Sequence, residues 1–416
     1  MRALFKLAVG AVIVAACAAA QGQEGLRDRD PVLQGAKSIA SDLQTATFHY
    51  GPWYLLSNFT LSDLGYGQTY FTPSGESDGG ITLGASAPQR LYFVPSRRVV
   101  FAASVVPQYA WVQQNGAHNQ FGYNTRGDAE LLFNHLFLDF YGARANELRP
   151  QLGEINRVVT IKEREAGVSA EIKYSSRTSA LFTARYRDAH YPIDRLQPVD
   201  FRTQLGLLDR TEHGYRLSGI HKTFPLTSIL VAAEQGRYAF RNDPTRDARR
   251  NYAGIGFVTD TGVTVLRGEA GPASLRYKDP TRKDYSGLIA NASVSRRLSD
   301  RWRAAINAQH DLDFSIYGNN TYYITDRLGA RADFAATRKL SIKFISELGH
   351  DRYDLVSPLQ LVRRRDTIAW NAIGWEYAMR RFRGGFDVGY YDRRTNVTDA
   401  EEANGIRLVL HLSFFP

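Results

Sequence analysis

The residues closest to a catalytic pair lie near the end of the chain, in His411-Leu412-Ser413. Side chains two residues apart on a β-strand point to the same face, so this histidine and serine could act as base and nucleophile in a hydrolysis. The alternation of this strand, however, directs both side chains away from its apolar face. A hydrolase acting on membrane lipid needs them on the lipid-facing side, so we expect no enzyme here and keep a lipid hydrolase only as a distant alternative.

The spacing of the histidines and acidic residues does not indicate a metal or cofactor site. The nine histidines are scattered, and none forms a pair with carboxylates at the spacing of a metal site. The acidic stretches NDPTRD and DAEEA do not follow a calcium-loop pattern, which favours solvated loop charges. We therefore predict no metal ion and no cofactor.

Charged residues instead follow a period of two in the stretch RWRAAINAQHDLDF at residues 301–314. Such alternation is typical of a strand with one apolar and one polar face. The strand could belong to a sandwich with its polar face in water, or it could cross a membrane with lipid on one side and a water-filled lumen on the other. The apolar face comprises Trp302, Ala304, Ile306, Ala308, Leu312 and Phe314; the charged residues opposite are Arg301, Arg303, Asp311 and Asp313.

The same alternation recurs along most of the chain, which favours the membrane interpretation. Charges in a water-filled lumen tune what passes, although they can also form cross-strand ladders that only stiffen the wall. An excess of arginine among them favours anionic cargo. Two segments, 226–240 and 366–377, change phase midway, and a β-bulge could cause this. We predict that the lumen is lined by Arg185, Arg187, Arg301, Arg303, Asp311, Asp313, Arg331, Asp333, Arg383 and Asp387.

The connections between the predicted strands alternate in length. Eighteen strands fit between residues 52 and 415, with tight turns such as PSRR, SSRT and AMRR at one end. Longer polar loops stand at the other end, including residues 65–79 and 190–211. Short turns on one rim, long loops on the other and an even strand count are typical of outer-membrane barrels. The sequence thus predicts an all-β fold, a transmembrane antiparallel up-and-down β-barrel with short periplasmic turns and longer extracellular loops.

The first residues resemble an export signal. Arg2 and Lys6 precede an apolar or small run over residues 7–20, too short to span a bilayer. Its Val14-Ala15-Ala16-Cys17 stretch resembles a lipobox, so Cys17 is either a lipidation site or part of the removed signal. We predict a signal peptide at 1–20, a periplasmic or lumenal segment at 21–50, and an outer-membrane barrel at 51–416.

Composition agrees with an exported barrel. Aromatic residues make up 12% of the chain although its mean hydropathy is −0.34, as expected when lipid-facing and lumen-facing residues average out. The formal charge is +10, and arginine supplies most of it, so anionic groups are expected neighbours. Export makes nucleic acid a poor candidate partner.

Three stretches resemble a family of outer-membrane β-barrel porins associated with exopolysaccharide and capsule export. These are HYGPWYLLSNFTLSDLGYGQTYF, GASAPQRLYFVPSRRVVFAASVVPQYAWV and GDAELLFNHLFLDFYG. The resemblance implies a barrel in the Gram-negative outer membrane that gives a polysaccharide its path outward, with a periplasmic polysaccharide-export protein beneath it. Members of this kind end in an aromatic residue read by the barrel assembly machinery, whereas this chain ends in Phe415-Pro416.

The predicted fold is compatible with two functions, of which polymer export is the prediction and diffusion of small solutes is the alternative. The resemblance implies a channel for a hydrophilic polymer, most simply an exopolysaccharide. Its partners would be outer-membrane lipid and that cargo. The excess of arginine favours a cargo that carries negative charge. The alternative is a general diffusion porin for small solutes. A loop folded into the lumen would favour the porin, and an open lumen would favour export.

Basic residues concentrate in the predicted tight turns. They would form a ring at the periplasmic rim, where they could dock an acidic export partner or contact anionic phospholipid head groups, and we favour the lipid contact. The ring comprises Arg97, Arg98, Arg177, Arg338, Lys339, Arg380 and Arg381.

Overall fold

The computed structural model describes residues 39, 42–67, 80–113, 117–149, 159–192, 199–318, 320–356, 362–397 and 403–414. The predicted signal peptide with Cys17, most of segment 21–50, and the terminal Phe415-Pro416 lie outside these ranges. Among the helices of the described residues, none is long and apolar enough to span a membrane.

Strands account for most of the described chain. One helix, α1 (Val199–Gly206), and a 3-10 turn (Pro244–Arg246) lie in the connections. The strands are β1 Phe48–Tyr50, β2 Trp53–Ser57, β3 Phe59–Gly67, β4 Gly80–Ser86, β5 Gln89–Ser96, β6 Val99–Gln113, β7 Ala117–Leu132, β8 Leu136–Arg149, β9 Val159–Lys173, β10 Thr178–His190, β11 Arg210–Phe224, β12 Thr227–Phe240, β13 Ala248–Asp260, β14 Thr264–Tyr277, β15 Tyr285–Arg297, β16 Trp302–Phe314, β17 Tyr322–Ala335, β18 Leu340–Val356, β19 Arg363–Ala378, β20 Phe382–Thr395 and β21 Ala403–Phe414.

These segments close into one antiparallel barrel. From β6 onward each strand pairs with the next, and β21 pairs with β3, where Phe414 lies opposite Phe59. Segments β2 and β3 are two halves of one wall strand, as are β4 and β5, because both β4 and β5 pair with β6. Strand β1 only extends β2 as a short hairpin. The wall therefore has 18 strands, and the predicted fold class is confirmed.

Proline explains the interruption of the second wall strand. Pro88 separates β4 from β5 and lacks the N–H that a continuous ladder would need. Its carbonyl accepts a hydrogen bond from the Asn58 N–H at 3.0 Å, and Asn58 is the residue that separates β2 from β3. The two interruptions thus lie side by side and share this hydrogen bond.

Connection length alternates as the sequence predicts. Turns of two to four residues join β5 to β6, β11 to β12 and β13 to β14, whereas β10 and β11 are separated by residues 191–209. Gly262 occupies the tip of one tight turn with φ of +76°, a conformation that side chains other than glycine rarely adopt. The Asp260 side chain accepts a hydrogen bond from its N–H at 2.8 Å.

The wall strands expose apolar side chains on one face. Val231, Ile255 and Leu288 are each about three-fifths exposed (58%, 62% and 58%), while their neighbours Ala232 and Ile289 are almost fully buried. In a closed barrel without a partner chain, exposed apolar residues at alternate positions belong on the outer wall, which faces lipid. We call the opposite face, which carries most of the buried charges, the inner face.

Two expectations about strand phase are wrong. The pairings of β12 with β13 and of β19 with β20 run without a register shift, so no bulge explains the phase changes at 226–240 and 366–377. Apolar residues simply occupy inner-face positions there, including Tyr238 and Phe240, which are buried. Likewise Leu312 and Phe314 are buried in the apolar cluster around Tyr238 instead of facing lipid.

Candidate functional site: the inner face of the barrel

Arginine and glutamate alternate across β9, β10 and β11. Arg187 forms ion pairs with Glu163 on one side and with Glu212 on the other, the latter at 3.5 Å. Arg210 donates from Nε to Glu212 at 2.8 Å, and Arg185 lies 3.7 Å from the same carboxylate. Arg185 and Arg187 of β10 thus have carboxylates on both neighbouring strands, as in a cross-strand ladder, whereas Arg210 pairs with Glu212 of its own strand.

The ladder continues with longer reach towards β16. Arg216 contacts Glu234 at 3.3 Å and Glu269 at 2.8 Å, which lie one and three strands away. Arg250 on β13 donates to Asp311 on β16 at 2.9 Å. Pairs that skip strands cross the inner space and do not run along the wall.

A third group of ion pairs is almost inaccessible to solvent. Arg327 lies 2.7 Å from Asp351, and Asp366 accepts hydrogen bonds from both Arg364 and Arg393. Asp351 and Asp366 are 0% exposed. Buried charges of this kind persist only when they are paired.

A fourth group lies nearer the short-turn end and contains the histidine of the candidate catalytic pair. His411 has Asp387 at 3.5 Å from Nδ1 and Glu376 at 3.8 Å from Nε2. Ser413 instead exchanges a hydrogen bond with the Thr60 hydroxyl at 3.2 Å. The histidine therefore belongs to an ion-pair network with Lys343, which lies 3.2 Å from Asp387.

Most of the predicted lumen-lining residues form ion pairs. Arg185, Arg187, Asp311, Arg331, Asp333, Arg383 and Asp387 all form ion pairs, with Arg331 and Asp333 at 2.9 Å and Arg383 and Glu376 at 3.4 Å. Asp313 accepts from the Phe314 backbone N–H at 2.8 Å. Arg303 makes no ion pair within the described ranges, and Arg301 lies in the exposed turn before β16. Their role in lining a channel stays a prediction.

Arg246 joins three connections at the long-loop end. Its guanidinium is 0% exposed and donates to the backbone carbonyls of Leu207, Ser315 and Thr321, at 3.2 Å for the first and 2.9 Å for the last. It also lies 5.1 Å from the centre of the Phe240 ring on the inner face. A buried arginine with several backbone acceptors fixes the loops that supply them.

The tip of the β16–β17 hairpin bends away from the wall. Pairing between β15 and β16 ends at Ala290 and His310, although both strands continue beyond this point. Past it, the Phe314 ring makes edge contacts with Tyr238 and Phe240 of β12, at centroid distances of 4.8 and 5.0 Å. Strand β12 is four strands away around the wall, so the tip reaches across the inner space.

The hairpin tip and the loops form one compact body, which we call the plug. It comprises residues 205–209 at the end of α1 and just after it, the turn Pro244–Arg246, and residues 311–318 and 320–323. Leu205, Leu208 and Ile316 pack against inner-face residues such as Leu275 and Ile289. The plug is thus held by apolar packing as well as by Arg246.

Charged loop residues complete the plug from the outside. Arg282 donates to Asp243 at 3.2 Å and to the Gly318 carbonyl at 3.0 Å, and Lys278 donates to Asp247 at 2.8 Å. The acids of NDPTRD are therefore engaged by basic side chains, and no cluster of metal-type ligands occurs within the described ranges. Hydrogen bonds from the backbone N–H and hydroxyl of Thr281 hold the pKa of Asp279 below its ordinary value.

A second small cluster lies at the other end of the interior. Asp42 forms an ion pair with Arg90 at 2.9 Å and accepts from the Tyr92 hydroxyl at 2.5 Å. Ile39 packs with Tyr92 and Val100, both buried on the inner face. Ile39 and Asp42, which precede β1, therefore lie against the inner wall.

All seven predicted rim residues lie in exposed short turns. Within the described ranges none of them forms an ion pair. They are Arg97 and Arg98 after β5, Arg177 after β9, Arg338 and Lys339 after β17, and Arg380 and Arg381 after β19.

The residues that build the plug are not indicated by the alternation of the strands. Arg246, Arg250 and Arg364 lie at or beyond the long-loop ends of strands, where alternation no longer reports lipid against lumen. One signal in the sequence could have indicated them. The aromatic residues Tyr238 and Phe240 occupy positions of the alternation at which other strands carry charged residues. Such residues indicate an apolar partner inside the barrel.

Comparison with solved structures supports the barrel. The chain is similar to OpdK of Pseudomonas aeruginosa, solved with vanillate, at a TM-score of 0.51 and 12% identity over 86% of this chain and 98% of that one. It is also similar to OccAB3 of Acinetobacter baumannii, with a TM-score of 0.50 and 11% identity over 86% and 99%. At this identity the likeness concerns the fold.

Other comparisons add little. A bacterial polysaccharide outer membrane secretin aligns over 87% of this chain and 98% of its own, at 8% identity and a TM-score of only 0.38. No protein-family model and no curated protein matches the chain. The chain folds as a closed, porin-like barrel with an apolar outer wall, the form that spans the Gram-negative outer membrane, and the predicted location is confirmed.

Proposed function

We propose that this protein is an outer-membrane channel for small hydrophilic solutes. The plug pinned by Arg246 is the observation that supports this proposal. A barrel of 18 strands is wide enough to enclose an aqueous channel. A polymer in transit needs a continuous opening as wide as itself, whereas a body packed into the interior leaves only narrow paths.

The charged inner face is suited to small polar solutes. Ion pairs such as Arg187 with Glu212, and Arg216 with Glu269, present both signs of charge close together. A passing solute can exchange contacts with successive pairs, since charged rings and ladders at close quarters set the selectivity of a pore. The inner-face arginines Arg187, Arg216 and Arg250 are each paired with a carboxylate, so the interior gives less preference to anions than the sequence composition predicts.

Polysaccharide export is the competing hypothesis, and it comes from the sequence resemblance. It requires the plug to leave the barrel when the cargo passes. The predicted periplasmic export partner and an anionic polymer cargo belong to that hypothesis and stay predictions.

Size-graded transport separates the two functions. The purified barrel would be placed in liposomes, and the entry of neutral sugars of increasing length would be followed by swelling. We expect mono- and disaccharides to enter and long dextrans to be excluded. Arg246→Ala removes the three loop contacts and should raise both the size limit and the single-channel conductance.

A matched variant controls for the loss of one arginine. Arg249→Ala removes an exposed arginine of the outer wall, three residues away in sequence, and should leave the size limit unchanged. Entry of long dextrans into wild-type liposomes at rates like those of small sugars would contradict the proposal and favour export.

A further inference from the structure

Three arginines lie side by side on the outer wall. Arg237 of β12 pairs in register with Arg249 of β13, which pairs in turn with Arg276 of β14. Residues directly opposite on neighbouring strands have Cβ atoms about 4.5–5.5 Å apart. Three positive charges are therefore held in one row.

The row belongs to the outer wall at the long-loop end. All three arginines are exposed, and the residues next to them in sequence, Tyr238, Ala248 and Tyr277, are buried on the inner face. Strand β12 ends three residues after Arg237, and β13 begins one residue before Arg249. In an outer-membrane barrel the long loops face the cell exterior.

None of the three arginines forms an ion pair within the described ranges. The nearby carboxylate of Asp284, just before β15, accepts a hydrogen bond from the Tyr277 backbone N–H at 2.9 Å. Two other outer-wall arginines near the same rim do have a carboxylate partner: Arg352 lies 2.9 Å from Asp326, and Arg394 lies 2.9 Å from Asp392. Like charges directly opposite one another destabilise a sheet. The row is therefore a site that an external anion would stabilise.

A row of hydrogen-bonding side chains lies one step below. Gln235 pairs with Asn251 and donates to its side-chain oxygen at 3.2 Å, and Asn251 pairs with Ser274. Amides and hydroxyls in this position can bind sugar hydroxyls or phosphate oxygens. The arginine row thus continues into a polar surface suited to a sugar-phosphate.

Small residues occupy the next step and leave a shallow recess. Ala233 pairs with Ala253, and these lie between Leu217 and Leu288, which are 57% and 58% exposed. Leu217 pairs with Ala233 on one side, and Leu288 pairs with Pro272 on the other. The recess is flanked by leucines and suits acyl chains.

The spacing of these rows matches a lipid that stands upright in the membrane. Six residues separate Arg237 from Val231, about 20 Å of strand, or about 15 Å along the membrane normal at the usual tilt. Val231 and Ile255 then reach acyl-chain depth while the arginines stay among head groups. Arginine binds phosphate through two parallel hydrogen bonds, so the row favours a phosphorylated head group.

We propose that Arg237, Arg249 and Arg276, with Gln235, Asn251 and Ser274, form an outer-wall site for the phosphorylated glycolipid of the outer leaflet. The arginines bind its phosphates, the polar row contacts its sugars, and the recess between Leu217 and Leu288 receives its acyl chains. This site lies on the outer wall, separate from the channel. The proposal does not depend on which solute the channel carries.

Binding of diphosphoryl lipid A to the folded, detergent-solubilised barrel tests the site. Native mass spectrometry would count bound lipid for the wild type and for the triple variant R237Q/R249Q/R276Q. We expect the triple variant to bind at least about tenfold more weakly, the effect of losing about 1.4 kcal/mol. Dephosphorylated lipid A should bind the wild type more weakly than diphosphoryl lipid A does, by the same factor.

A charge-matched variant and a second variant make the outcome decisive. R97Q/R98Q/R338Q removes three arginines from the opposite rim and should bind lipid A like the wild type. Heat-modifiable mobility on gels reports folding, and R249Q alone, at the centre of the row, replaces the triple variant if the latter does not fold. Unchanged binding by the folded variant, or equal binding of phosphatidylglycerol and lipid A to the wild type, would overturn the proposal.

Discussion

Arg393 donates a hydrogen bond to Asp366 across the β19–β20 pair at 2.5 Å, although the two residues are only 1% and 0% exposed. The plug covers this pair. Arg364, which also donates to Asp366, stacks over Tyr317 of the plug at 4.5 Å and over Tyr353 of the wall at 4.7 Å. The plug and the wall therefore share one ion-pair network.

Removal of Arg393 should destabilise the barrel strongly. Arg393→Ala leaves Asp366 with one cation less in a place that water does not reach, and loss of one partner of a buried pair costs about 3–5 kcal/mol. Urea unfolding of the protein in liposomes measures this. Arg394→Ala, on the exposed outer wall and paired only with Asp392, should cost about 0–1 kcal/mol. Equal costs for the two variants would contradict the burial of the Arg393–Asp366 pair inside the folded barrel.

The facing of β16 can be tested with one pair of substitutions. Ile306→Arg places a charge on the outer wall and should cost about 2–4 kcal/mol of folding free energy near the membrane midplane. Arg303→Ile, on the inner face and without an ion pair in the described ranges, should fold as the wild type does. Folding yield into liposomes is the measurement. If Ile306→Arg assembles normally and Arg303→Ile does not, the assigned faces are reversed.

Ion selectivity should respond to Arg216. Arg216→Gln leaves Glu234 and Glu269 without their shared cation, so the interior becomes more negative. The cation-to-anion permeability ratio should rise by a factor of about two to five, equivalent to about 0.4–1 kcal/mol. The reversal potential in a potassium chloride gradient reports the ratio. Arg276→Gln removes the same charge from the outer wall and should not change it; an equal shift in both variants would point to a surface effect.

The periplasmic rim should act through lipid. Joint neutralisation of Arg97, Arg98, Arg338, Lys339, Arg380 and Arg381 removes contacts worth about 1 kcal/mol each with anionic head groups. We expect the variant to assemble and conduct normally but to lose its preference for vesicles that contain phosphatidylglycerol. Loss of polysaccharide secretion by a well-assembled variant would instead indicate a docked export partner.

Sequence predicted the barrel because each wall strand repeats one local rule. Alternation gave the faces of Ile306 and Arg303, and turn length gave the two ends. The prediction failed where two different environments produce the same pattern. Phe314 continues the apolar alternation of β16, and this alternation is the same whether the side chain contacts lipid or Phe240. A period of two reports that a side chain is buried in apolar surroundings, but not which surroundings.

The ion-pair partners were also beyond prediction. Alternation predicted that Arg187 lies on the inner face, but it did not indicate Arg216 or its partners. Glu269 is three strands from Arg216 and becomes its neighbour only through the curvature of the closed wall. The outer-wall arginine row depends on register in the same way. Its members are 12 and 27 residues apart in sequence.

The paired interruptions at Asn58 and Pro88 lie beside the joint between the first and last wall strands. That joint also changes register between Leu410 and Leu412, so the ladder there has fewer regular hydrogen bonds than elsewhere. Stability in a sheet is distributed unevenly, and regions with fewer protected backbone groups open first. The pairing of β3 with β21 is consequently the weakest joint of the closed wall. Amide hydrogens of β3 and β21 should exchange with solvent before those of β12 and β13. An added peptide strand should insert into the sheet at this joint.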